Sequence, residues 1–441
     1  MTSKNHLIKN ILKDIYPFPY SVVSGGNDES INHFKKYLNF NVLEYESGAE
    51  VNGWIVPNMW KLISGSISDS SGLNIDLAQN PFMLAVLSPS YSGKVSNEVL
   101  KKHAFYSENC PNAYPYLWQN LYRPGNKDWY VSLTKEMYEK LNSSEYDVEI
   151  KTAESVGTMK VLDYLLPGEL PDTFLINAHN CHPFQANDDT SGCAVGISLF
   201  MKLAKLKKRK YTYRLIIAPE LIGTVHWLNS LSDLEVSHLK GAILLKSVGN
   251  DAPIKLQLSF NANSRLDEVA KNVIKNHFLE PTIGGFREVY GNDETVFDSP
   301  GYEIPTISIT RFPFDEYHTS FDTPEMVSED KLLAVRNAVF EMIMCLERDK
   351  RMIFVKKGLV SLSNPAYNLY KSAVAPGIDK ERYLEEQRRW NLLMNCLPRL
   401  LDGNNSAISI ANKFKIPAIE VIDYLDLWLD KGLAREYEYE G

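Results

Sequence analysis

At 441 residues the chain exceeds what one hydrophobic core commonly organises, so two or three domains are expected. With 44% hydrophobic and 23% charged residues it is ordinary globular protein, which excludes wholesale disorder and the fibrous classes. A formal net charge of -8 leaves no overall basic footprint and argues against nucleic acid as the principal partner.

The N-terminus has no signal-like apolar core; Leu7, Ile8, Ile11, Leu12 and Ile15 instead make one helical face. Residues 1 to about 40 read as helical. From about 43 to 150 short apolar runs are broken by Gly, Pro, Ser and Asn, as in GWIVPNMW and FMLAVLSPSYSG, the pattern of an inserted β-rich subdomain. From about 155 to 350 strands and helices alternate: TFLINA, a helix from Ser191 to Leu206, YRLIIAP, a helix from Gly223, GAILL, IKLQLSF, a helix from Asn263 to Asn276, EIPTISIT and a helix from Ser328 to Glu347. Apolar strands alternating with amphipathic helices imply an α/β fold, a mainly parallel sheet with helices on both faces. The basic run Lys202 to Lys210 closes one of these helices, where cations are favoured.

The last sixty residues read as a C-terminal winged helix: a helix from Glu381 to Leu401, a helix over SAISIANKFKI, a turn at Pro417, a further helix and a strand-like end. Residues 379–441 carry nine Lys/Arg against twelve Asp/Glu, and Glu420, Asp423, Asp426 and Asp430 lie on the helix that would face DNA, so packing or dimerisation is expected there. The expected domains are therefore 1–42 with 151–365, 43–150, and 379–441. Five cysteines without paired spacing fit a reducing, cytoplasmic setting, and no stretch of about 18 apolar residues offers a membrane span.

Three segments carry chemistry. In TFLINAHNCHPFQANDDTSG a strand ends in His179 and His182, followed by Asp188 and Asp189; imidazole and carboxylate are what zinc takes. In RLIIAPELIG, Glu220 follows an apolar strand and stands either as a general base beside a metal or as a helix cap. In FPFDEYHTSFDTPE, His318 lies in a loop among Asp315, Glu316, Asp322 and Glu325, a metal ligand or a surface histidine.

In order, HNCHP (179–183), NDDTSG (187–192), PELIG (219–223), GNDE (291–294) and YHTS (317–320) resemble the aminopeptidase-like zinc hydrolase superfamily, and its bacterial branch with an inserted β subdomain and a winged helix. The resemblance implies Asp188 as the central metal ligand, His318 as the late-loop ligand and Glu220 as general base. The remaining ligand is His179 if Cys181 stands for the Asp of the family's His-x-Asp motif, or His182 if the loop is shorter. Two family carboxylates are missing: Leu221 follows the catalytic glutamate, and Lys246 stands at the later Asp position. A lysine ammonium repels a second cation, so one zinc with an open position is expected. Lys246 is then available to pair with Asp188 or a substrate carboxylate. By the same resemblance Asp293 and Glu294 line the cleft and hold a substrate ammonium, or they cap a helix. Arg287 and Arg311 are either candidate carboxylate clamps or ordinary surface residues.

The expected activity is zinc-dependent, aminopeptidase-like hydrolysis of a peptide or small amide. The alternatives are a deacylase or amidohydrolase of an N-acylated small molecule, and a metal-free binding or regulatory protein on a peptidase scaffold. A homo-oligomer is compatible with all three; membrane and nucleic-acid partners are not expected.

Overall fold

The computed structural model describes residues 8–125, 127–371 and 380–437. Leu7 of the expected first helix and the last residues of the expected winged helix lie outside them. The chain divides into two compact units, residues 1–257 with 287–336, and residues 258–286 with 337–441.

The first unit is built on a sheet to which it contributes seven strands, β1 (Asn41–Glu46), β2 (Thr158–Leu166), β3 (Thr173–His179), β4 (Thr212–Ala218), β5 (Leu239–Lys246), β6 (Lys255–Gln257) and β7 (Thr306–Thr310). They lie in the order β1-β2-β4-β3-β5-β7-β6. The four central strands β4, β3, β5 and β7 are parallel, whereas β1, β2 and β6 pair antiparallel. The sheet is thus parallel at its centre and antiparallel towards its margins, more mixed than the apolar runs alone suggested. Burial follows position in the sheet: every residue of β3 is buried, as a strand covered on both faces must be, while β1 at the margin has no fully buried residue.

Helix Ser191–Leu203 has almost no exposed face, and Ile8–Ile15 packs on it through Ile8, Ile11, Leu12 and Ile15. Two of its glycines let it lie close on the sheet. A Cβ on Gly192 would come within 2.4 Å of the Leu245 carbonyl oxygen, and one on Gly196 within 2.9 Å of Leu215. The N-terminal region breaks after Ile15 at a Pro-containing turn and resumes as helix Gly25–Lys35, capped by Ser24.

Between β1 and β2 a four-stranded antiparallel sheet runs in the order Asn74–Asp76, Met59–Ser68, Glu145–Ser155, Tyr91–Ser96. It has its own core, including Ile67, Leu77, Leu100, Trp129, Tyr146 and Val148. The connection from Ala104 to Leu133 wraps back toward the ends of the central strands and delivers Tyr116, Trp118 and Tyr122 to them.

In the second unit Arg351–Phe354 is flanked antiparallel by Asp402–Ser406 and Ala434–Glu436. Helices Arg265–His277, Lys380–Leu400, Ala407–Phe414 and Ala418–Asp430 complete it, with Trp390 and Trp428 buried. The acids of Ala418–Asp430 are partly neutralised within the unit: Arg348 reaches Asp423 at 2.7 Å and Asp426 at 2.8 Å. All five cysteines are free. No helix among the described residues is long and apolar enough to cross a membrane.

Candidate metal centre and cleft

The parallel strands end together, and their last residues form the site. His179 closes β3, Pro219 and Glu220 follow β4, and Lys246 closes β5. His182 and Asp188 sit on the turns between β3 and helix Ser191–Leu203, and His318 on the loop after β7. Ligand sites at the carboxyl ends of parallel strands are the rule for such sheets, because the strand-to-helix turns all open there.

Asp188 is the hub and is fully buried. His318 Nε2 lies 2.9 Å from its Oδ2, His182 Nδ1 3.7 Å from the same oxygen, and His179 Nε2 3.3 Å from Oδ1. Lys246 Nζ approaches Oδ1 to 2.7 Å and His179 Nε2 to 2.5 Å. Glu220 faces this group, its Oε2 being 3.9 Å from both His182 Nε2 and Lys246 Nζ. Cys181 Sγ lies 3.8 Å from His179 Nδ1 and accepts the Glu220 backbone N–H at 3.3 Å.

The supporting contacts fix these positions. Asp322 accepts the backbone N–H groups of Asn187 at 2.6 Å and Asp188 at 2.9 Å, setting the turn that aims Asp188. The turn bearing Glu220 places Leu221 at φ +60°, a region that L side chains avoid. Asp293 holds it there, accepting Leu221 N–H at 2.6 Å and Thr224 Oγ1 at 2.8 Å. His318 is likewise left-handed, at φ +51°, with its carbonyl taken by Tyr116 N–H at 2.7 Å and its ring stacked on Tyr317 at 3.9 Å. Tyr116 meets the His182 and His318 rings edge-on at 5.3 and 5.5 Å.

Burial and charge pull the titrating groups apart. Burial alone would raise the Asp188 carboxyl, but Lys246 and the histidines hold it well below the usual carboxylate range. Burial, aided by Lys246, pushes His179 down to about 4, and burial drives His182 well below its ordinary value. Both imidazoles are therefore neutral, the form that binds metal. Burial raises Glu220 to about 7 against the opposing pull of Lys246.

Two histidines and one carboxylate, His182, Asp188 and His318, place ligand atoms within 4.8 Å of one another. Asp188 Oδ1 is taken by the Lys246 ammonium, whereas Asp188 Oδ2, His182 Nδ1 and His318 Nε2 are buried atoms that make no hydrogen bond of proper direction. Convergent, buried, unprotonated donors without hydrogen bonds are costly unless a cation satisfies them, and the donor types are those zinc takes. The residues fit one such ion. His179, by contrast, faces the Lys246 ammonium.

The other residues singled out in the sequence are placed differently from one another. Asp293 and Glu294 are fully buried and do not line the cleft; Glu294 accepts Asn292 N–H at 2.8 Å and pairs with Arg287 at 3.2 Å. Arg311 is 4% exposed, donates to the Ala252 carbonyl at 2.6 Å and lies outside the cleft wall. Beside Glu220 opens a cleft of about 680 Å³. Trp54, Trp118 and Tyr122 form part of its wall, and Arg287, Tyr290 and Asn292 another part. The aromatic contributors had no local signal in the sequence, since they are brought in by the inserted segment; Asp322 had one, lying two residues beyond the YHTS motif.

The fold is shared with proteins of known structure. A crystal structure described as a "putative peptidase" from Clostridium acetobutylicum superposes with a TM-score of 0.79 at 24% identity, covering 98% of this chain and 96% of its own. A zinc aminopeptidase from Bacillus subtilis matches with a TM-score of 0.59 at 15% identity over 77% of this chain and 94% of its own. In sequence, a Clostridium acetobutylicum protein named "Putative polysaccharide biosynthesis protein with aminopeptidase-like domain" is 28% identical over 347 residues, 78% of each chain. The family model for a domain of unknown function, DUF4910, matches residues 9–349, most of the chain, and the protein belongs to that family.

Proposed function

We propose that the protein is a zinc-dependent amide-bond hydrolase with a single metal ion held by His182, Asp188 and His318. The observation that carries the reading is the convergence of Asp188 Oδ2, His182 Nδ1 and His318 Nε2, buried atoms without hydrogen bonds, beside a cleft whose wall includes His182, His318 and Glu220. The likeness in fold to a zinc aminopeptidase is consistent with it.

When bound, zinc would polarise the amide carbonyl and acidify a water molecule. The chain's own residues divide the remaining work. Glu220, partly exposed to the cleft and facing the donor group, takes the proton of the attacking water and delivers it to the leaving nitrogen, so that the C–N bond breaks to a carboxylate and an amine. Asp293 keeps the strained Glu220–Leu221 turn in place. Lys246 keeps Asp188 ionised and occupies the side of that carboxylate which faces His179. Asp322 orients Asp188 through its backbone. Among amide hydrolases, the inward position of Asp293 and Glu294 favours a substrate without a free amino group, the N-acylated class, over a peptide N-terminus.

The test has two parts. Glu220→Gln is expected to keep about one zinc per chain while hydrolysis of N-acyl and aminoacyl amides falls at least about a hundredfold. His182→Ala and His318→Ala are expected to lose the zinc by elemental analysis while His179→Ala retains it; full zinc in all three rejects the ligand set.

A further inference from the structure

The cleft wall has a chemical asymmetry that the metal centre does not use. Glu220 is the single carboxylate among the described residues lining it, and the two acids expected from the sequence to hold a substrate ammonium are both committed inward, Asp293 to Leu221 and Thr224, Glu294 to Asn292 and Arg287. The cleft therefore has no spare anion for an amine. It does have a spare cation. The Arg287 side chain is 49% exposed at the cleft wall, with Nη1 3.2 Å from Glu294 Oε1, so only one corner of the guanidinium is occupied by that contact.

This arginine is also seated. A Cβ on Gly291 would lie 2.4 to 2.6 Å from Cζ, Nη1 and Nη2 of Arg287, so the guanidinium rests flat on the glycine backbone, in space that any other residue would fill. A planar fork anchored on a fully buried carboxylate, with its other donors at the wall of the cleft, matches a substrate carboxylate. The wall also includes Trp118 and Tyr122, whose aromatic side chains supply apolar surface for a ring.

We propose that Arg287 is the specificity anchor of this cleft and that the substrate is an N-acylated compound bearing a free carboxylate, with its apolar or ring portion against the Trp118 and Tyr122 side. The proposal rests on the amide-hydrolase reading but concerns recognition alone. Binding can therefore test it without turnover, in zinc-loaded full-length protein carrying Glu220→Gln, by titration calorimetry with N-acetyl-L-phenylalanine, its carboxamide and L-phenylalanine amide. The acid is expected to bind about tenfold or more tightly than its carboxamide, and the free amine least well. Adding Arg287→Gln is expected to bring the acid-to-carboxamide ratio near one. Arg287→Lys, which keeps a partner for Glu294 and guards against misfolding, and Gly291→Ala, which displaces the guanidinium, are expected to reduce the ratio, with zinc content unchanged. Equal binding of acid and carboxamide, binding of neither, tighter binding of the amine, or a preference that survives Arg287→Gln overturns the proposal. Absence of zinc, or of any amide hydrolysis by the unaltered protein, would instead count against the hydrolase reading.

Discussion

Lys246 puts a monovalent cation between His179 Nε2 and Asp188 Oδ1, two groups that together could face a metal ion. The ammonium supplies the charge without the ligand-binding capacity. Lys246→Asp would exchange it for a carboxylate facing an imidazole and an aspartate, and zinc content is expected to rise from about one to about two per chain; a value that stays at one would show that this position does not exclude a second ion. Asp293 offers a different lever. Burial raises its carboxyl to about 6, so the fold favours its protonated form. Below its unfolded value near 3.8 both states are protonated and nothing is lost; as pH rises through about 6 the buried charge costs up to about 3 kcal/mol, at about 1.4 kcal/mol per pH unit. Asp293→Asn, which retains an acceptor for Leu221 N–H, is therefore expected to gain stability relative to the unaltered protein between pH 4 and pH 7, measured by urea midpoints, and a constant gap would reject this. At this scale the sequence was readable where chemistry is local. His179, His182, Asp188, Glu220 and His318 stand at the ends of strands or in the turns that follow, and the strand-to-turn pattern marks such places. The inward turn of Asp293 and Glu294 was not readable, because it depends on which backbone lies opposite them.

The turn after β3 and the helix Ser191–Leu203 act as one element. Gly192 N–H donates to Asp189 Oδ1 at 3.1 Å, and Ser247 N–H donates to the same oxygen at 3.0 Å, tying the helix start to the end of β5. Because a Cβ at Gly192 would meet both the Leu245 carbonyl and the Asp189 carboxylate, Gly192→Ala is expected to cost about 1–3 kcal/mol in denaturant unfolding and to weaken zinc retention by shifting Asp188. An unchanged midpoint would mean that the neighbours yield freely. Element types followed from periodicity for β3, β4, β5 and the long helix Glu329–Arg348, whose patterns are strong. Strand Asp402–Ser406 was not legible: DGNNS has turn composition, and only pairing with Arg351–Phe354 makes it extended. The aromatic side of the cleft was equally hidden, since Trp118 and Tyr122 belong to irregular chain with no period to read.

For the whole molecule, the charge balance remains the firmest statement about partners. The chain is acidic overall, and in the second unit Arg348 is already engaged by Asp423 and Asp426. Mixed-sequence duplex DNA is expected to leave fluorescence anisotropy unchanged even at low ionic strength, and salt-sensitive binding would overturn this. One further consequence lies in how the inserted segment meets the His318 loop. Tyr114 N–H donates to Ser320 Oγ at 3.0 Å, Ser320 N–H returns to the Tyr114 carbonyl at 2.9 Å, and these partners are 206 positions apart in the chain. Closing so long a loop is entropically slow compared with forming the local strand-to-helix turns. The expected order of assembly is therefore that β3, β4 and their turns organise first and His318 joins Asp188 late. If the proposed zinc site is correct, a nascent chain would lack metal affinity until almost three quarters of it had been synthesised, and zinc uptake would then report the closure of the His318 loop onto the first unit.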